Sequence, residues 1–217
     1  MFYGHVENRL RRTVAIVFFA AICGSAANAL AQARAAVQTL PRTANGKPDF
    51  QGIWQVRNKA AGDLLQERGI VEGGSIPYLT AAAAKQKDNL KNRKTSDPLE
   101  QCFFPGVPRI MYMEYPFQIF QTPEHVAMTF TWSQVYRLIY TNGAKGRSGI
   151  DSWMGDSRGH WEGDTLVVEV KSFNDSTWFD AAGNHHSDAL NVVERYRMLD
   201  ADTIQYEATM PDPKTFS

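Results

Sequence analysis

The stretch Ala189-Leu190-Asn191-Val192-Val193-Glu194-Arg195-Tyr196-Arg197-Met198 decides the fold class. Leu190, Val192, Tyr196 and Met198 fall on one side of an extended chain, while Asn191, Arg195 and Arg197 fall on the other. Alternation with a period of two is the mark of a strand with one face turned to a core. The turn Leu199-Asp200-Ala201-Asp202 comes next, and then the alternation resumes. Ile204, Tyr206, Ala208 and Met210 share a face, opposite Gln205 and Glu207. Upstream, Leu166, Val168 and Val170 alternate with Glu169 and Lys171, after the turn Gly163-Asp164. Phe117–Gln121 and Val126–Trp132 flank another turn, and Gln134–Tyr140 ends at Asn142-Gly143, a strong hairpin signal.

Strands joined by short turns imply a mainly β fold. The expectation is an antiparallel meander forming a small barrel or strongly curled sheet. Asp49–Val56, containing Gly52-Ile53-Trp54, reads as its first strand. One surface helix is expected from Ala81 to about Arg93, capped by Thr80, because Leu90 is its only large apolar residue. Asp97–Arg109 holds three prolines and Gly106, which predicts an ordered loop.

At the amino terminus, Arg9, Arg11 and Arg12 precede the apolar run Val14–Ile22, and small residues with A-x-A spacing come after it. That order predicts a secretory signal over residues 1–35, a linker over 36–48 and a single β-rich domain over 49–217. The expected location is periplasmic or secreted, with no membrane span after cleavage. The chain carries 23 basic and 23 acidic residues with no basic stripe, so a nucleic-acid partner has no electrostatic support. Cys102 remains alone after loss of Cys23 and reads as a small buried hydrophobe. The strand edge after Met210 predicts closure by the N-terminal strand or by further chain.

Glu194 is the most informative single residue, a carboxylate on the apolar face of its strand. A buried carboxylate needs a partner or becomes protonated. It is therefore a candidate acid/base or ligand anchor, or else one half of an ion pair with an inward arginine such as Arg137, or bonded to a Trp indole or a Tyr hydroxyl. Extending the same parity backward reaches Asp188 and His186, so His186, Asp188 and Glu194 form a candidate catalytic group at a barrel mouth. Trp153 and Trp178 are candidate aromatic walls of that site. Arg109 and Tyr115, which flank Met111-Tyr112-Met113, are candidate ligand contacts, although Arg109 can also pair with Glu114. No metal-ligand spacing occurs and no cofactor is implied.

Three groups of residues carry a resemblance. They are Asp97-Pro98 with Cys102 and Pro105-Gly106-Val107-Pro108-Arg109; Trp153-Met154-Gly155-Asp156-Ser157 with Trp161-Glu162-Gly163-Asp164-Thr165-Leu166-Val167-Val168; and His186-Ser187-Asp188-Ala189-Leu190 with Val193-Glu194-Arg195. Together they resemble an uncharacterised family of exported bacterial proteins, over about Pro48 to Phe216, and the general pattern is similar to calycin barrels. The chain departs from that pattern at Phe104, where proline is expected, and at His160, where a basic residue is expected. The resemblance implies export and a chain running past Phe216, but no activity. The expected function is small-molecule binding, or acid-base chemistry of the lyase, isomerase or hydrolase type on a sugar or aromatic compound, at the barrel mouth. The alternative is a non-catalytic envelope or accessory protein.

Overall fold

The computed structural model describes residues 40–146 and 149–217. The expected signal, residues 1–35, and the start of the linker lie outside them. Eight strands form one sheet in sequence order: β1 (Gly52–Trp54), β2 (Phe117–Gln121), β3 (His125–Phe130), β4 (Tyr136–Tyr140), β5 (Asp156–Glu162), β6 (Thr165–Lys171), β7 (Val192–Asp200) and β8 (Thr203–Thr209). The sheet curls into a half-barrel.

The alternation read from sequence sets the faces. On β7, Val192, Glu194, Tyr196 and Met198 are buried, whereas Arg197 is exposed. On β6, Leu166, Val168 and Val170 are fully buried beside them. Burying each such side chain stabilises the fold by ~1.5–3 kcal/mol. The inward faces of β2, β3 and β4 add Phe117, Ile119, Val126, Met128 and Ile139 to the same core. Met111, Tyr112 and Met113 pack into it as well.

The antiparallel meander holds except at one seam, where β4 and β5 run parallel through Ile139↔Ser157 and Tyr140↔Arg158. Asn142-Gly143 therefore does not close a two-strand hairpin. The chain instead returns to the start of β5 after Tyr140, since parallel neighbours need a crossover of about a dozen residues or more.

Helix α1 (Thr80–Lys91) lies where it is expected, with Leu79 rather than Thr80 at its N-cap. It buries little apolar surface, and amide side chains fix it instead. Gln86 Nε2 donates to Ala182 O at 2.7 Å and Asn89 Nδ2 donates to Gly183 O at 3.1 Å. A single turn, α2 (Arg93–Ser96), comes after it. Residues 98–101 and 109–112 of the proline-rich stretch form short 3-10 turns. Cys102 ends the first of them in a left-handed conformation and is exposed, against the buried placement expected for it. The position needs a left-handed cap there, and that turns the side chain outward. Beyond β8 the chain folds back on residues 77–79. Leu79 N donates to Thr215 O, and Tyr78 pairs with Phe216. Among the described residues no helix is long and apolar enough to cross a membrane.

Candidate functional site

Glu194 is fully buried and sits against Arg137 on β4, itself 3% exposed. Arg137 Nη1 donates to Glu194 Oε1 at 2.9 Å, and Nη2 donates to Glu194 Oε2. Nη1 also donates to Tyr196 Oη at 3.1 Å, while Nε and Nη2 donate to Ser157 Oγ at 3.1 and 3.0 Å. A guanidinium has five N–H donors, and these bonds use all of them. Tyr196 and Tyr206 each donate a hydroxyl to Glu194 Oε1 at 2.9 Å.

Burial, the largest single influence, pulls the Arg137 guanidinium down, but the Glu194 charge and hydrogen bond together with Tyr196 and Tyr206 outweigh it, so the group is held above its ordinary value. Burial first, and the Glu194 charge second, push both tyrosine hydroxyls up. The cluster is therefore a charge-neutral lock in which the guanidinium, the carboxylate and both tyrosine hydroxyls are hydrogen-bonded. Of the alternatives the sequence leaves open for Glu194, this geometry matches the ion pair.

His186 and Asp188 do not join Glu194. Ala189 N donates to Ser187 Oγ and Leu190 N donates to Ser187 O, a turn that breaks the period of two before β7 begins. Asp188 is thereby thrown to the surface, where it pairs with Lys214 at 2.7 Å, both side chains 61% exposed. His186 is 1% exposed and lies between Thr177 Oγ1 at 2.6 Å from Nε2 and Ser187 O at 2.8 Å from Nδ1. The carbonyl can only accept, so the proton sits on Nδ1 and Thr177 donates to Nε2. Phe173 and Phe179 pack on the ring, and burial holds its pKa below the usual value.

The other candidates are also distributed. Arg109 is buried and meets neither Glu114 nor an open space. Its two terminal nitrogens donate to Asp97 at 2.9 Å each, and Asp97 also accepts from Leu99 N. Tyr115 is exposed and rests on Trp132 with ring centroids 5.3 Å apart. Trp178 is 7% exposed and belongs to the interior rather than to a rim. Trp153 stacks on Phe103 at 4.8 Å. Among the described residues no three His, Cys, Asp or Glu are placed to hold a metal ion.

A cavity of about 310 Å³ opens on the concave side. Phe117 and Ile119 of β2 line it together with Tyr196 of β7 and Ile204 and Tyr206 of β8. Strands near opposite ends of the sheet share one cavity because the sheet curls. Trp54, Val56, Met111 and Tyr112 complete its apolar walls, and Arg57, Asn58, Asp202 and Thr203 form a polar rim. Trp54 is fixed by donating Nε1 to Phe50 O at 2.9 Å. Sequence reading assigns Ile204 and Tyr206 to the inner face but gives no sign of the cavity, whose walls come from residues about 150 positions apart. Comparison with family models, with curated proteins and with solved structures finds no match for this chain.

Proposed function

We propose that this chain is an exported, non-catalytic small-molecule-binding protein whose ligand occupies the concave cavity between the β2 face and β8. The observation that carries the reading is the cavity itself: apolar walls, a polar rim, and two lining tyrosines, Tyr196 and Tyr206, fixed by their hydrogen bonds to Glu194. Ligand sites of this kind are mostly apolar with a few fixed polar groups. The occupant is accordingly a largely apolar molecule with one polar end directed at Arg57, Asn58 and Asp202. The reading is non-catalytic because a general base needs a lone pair facing the substrate, and the Glu194 oxygens already accept from Arg137, Tyr196 and Tyr206. Export is supported by the charge, apolar run and small residues at the amino terminus.

The test is titration with N-phenyl-1-naphthylamine, an apolar dye that brightens when removed from water. The chain gives saturable binding. Ile204→Trp, which fills the cavity, weakens that binding at least about tenfold, a difference of ~1.4 kcal/mol. Ile53→Ser, on the outer face, leaves it unchanged, since Ile53 is 75% exposed. Absence of saturable binding, or equal binding by a folded Ile204→Trp variant, overturns the reading.

A further inference from the structure

The sheet parts at the β4–β5 seam. Pairing between the two strands is confined to Ile139 and Tyr140, opposite Ser157 and Arg158. Toward Tyr136 a groove of about 480 Å³ opens, with none of its lining shared with the concave cavity. Phe104, Tyr136, Tyr140 and Met154 wall it, and Arg137 and Ser157 reach it from below.

The backbone of β4 contributes as well. Phe130 N donates to Val135 O and Thr141 N to Glu124 O, so the odd-numbered residues of β4 turn their backbone groups to β3. By alternation, Tyr136 and Leu138 turn theirs to the seam. At the mouth, Ser133 and Gln134 are successive non-glycine residues with φ of 46° and 52°, a conformation L-residues adopt rarely and one that concentrates at functional sites.

Ser157 supplies the specific chemistry. It is 4% exposed, and its oxygen accepts from Arg137 Nε and Nη2. Its lone pairs are thus used, and its hydroxyl proton has no acceptor among the described residues. A buried donor in this state calls for an acceptor. The charged residues of its lining are paired: Arg137 with Glu194, and Asp156 with Arg158 at 2.9 and 2.8 Å. The groove therefore favours neither an anion nor a cation.

We propose that this groove is a second binding site, for a small uncharged molecule that presents a carbonyl-type oxygen to the Ser157 hydroxyl and an apolar ring to Phe104 and Tyr136. Saturation-transfer NMR with acetanilide, an uncharged aromatic amide, tests it on the whole chain. Acetanilide binds saturably, and more tightly than benzoate. Ser157→Ala weakens it about three- to tenfold, as loss of one hydrogen bond does, and Ser157→Thr, which keeps the hydroxyl, restores it. Tyr136→Ala also weakens binding, and because Tyr136 is 77% exposed this variant folds even if Ser157→Ala does not. Ile204→Trp in the concave cavity leaves acetanilide binding unchanged. No saturable binding, tighter binding of benzoate, indifference to Tyr136→Ala, or loss on Ile204→Trp overturns the proposal.

Discussion

Arg137 and Glu194 meet across the concave face although β5 and β6 lie between their strands in the sheet. The curl makes this reach possible, and the pair in turn ties β4 to β7, with Ser157 of β5 and Tyr206 of β8 bonded to the same cluster. Side-chain exposure of the pair is 2% and 0%, so neither charge has water to fall back on. Desolvating two ions costs several kcal/mol each, and a pair of this kind holds only with excellent geometry and further hydrogen bonds. Both conditions are met here.

Gly183 governs how the polar helix docks. Its φ is +84°, and a Cβ there lies 2.7 Å from Asn89 Cβ and from Leu90 N. Gly183→Ala combines a left-handed alanine with an overpacked contact against the helix backbone, and the loss is ~2–4 kcal/mol. Urea unfolding measures it. Hydrogen exchange in the variant shows lost protection first in α1, because the bonds from Gln86 and Asn89 to this loop are the ones displaced.

Asp188 provides the complementary case. Its ion pair with Lys214 is exposed, and such pairs contribute little. Asp188→Asn leaves the thermal midpoint and dye binding at their native values. A loss of binding in this variant would restore Asp188 to the site and contradict the placement described here.

His185 gives a pH dependence. Burial first, and Lys85 second, push its imidazole down to about 4, against an unfolded value of about 6.5. Its Nδ1 has no hydrogen-bond partner among the described residues. The unfolded chain therefore takes up the proton first as pH falls. The stability contributed by neutral His185 is complete above pH ~6.5 and is lost as pH drops toward 4, by ~1–2 kcal/mol after allowing for solvent screening. The wild-type minus His185→Gln difference in urea midpoint changes through that window. A constant difference between pH 7 and pH 4 contradicts it.

The faces of the sheet were legible because strand periodicity is local: Leu166, Val168, Tyr196 and Met198 lie where their alternation puts them. Glu194 stood out for the same reason, and Arg137 was readable as its alternative partner. Local signals fail where the chain makes a choice at a distance. Asn142-Gly143 is a good turn, yet the chain beyond it crosses over to a parallel partner. Parity carried back from Glu194 to Asp188 fails at the Ser187 turn, which a period count does not register. Arg109 lies 12 positions from Asp97, with a proline-rich stretch between them, and their pairing is set by how that stretch folds.

The most direct test is a double-mutant cycle on the lock, read out by urea unfolding. Glu194→Gln leaves the Arg137 charge buried and unpaired, with an expected loss of ~3–5 kcal/mol, and Arg137→Met costs a similar amount. The double variant Arg137→Met with Glu194→Gln recovers most of that loss, because each charge is costly only without the other. Glu194→Gln that unfolds within ~1 kcal/mol of the native chain, with no coupling to Arg137→Met, would mean that the carboxylate is free to act on a ligand and would contradict the structural role assigned to it here.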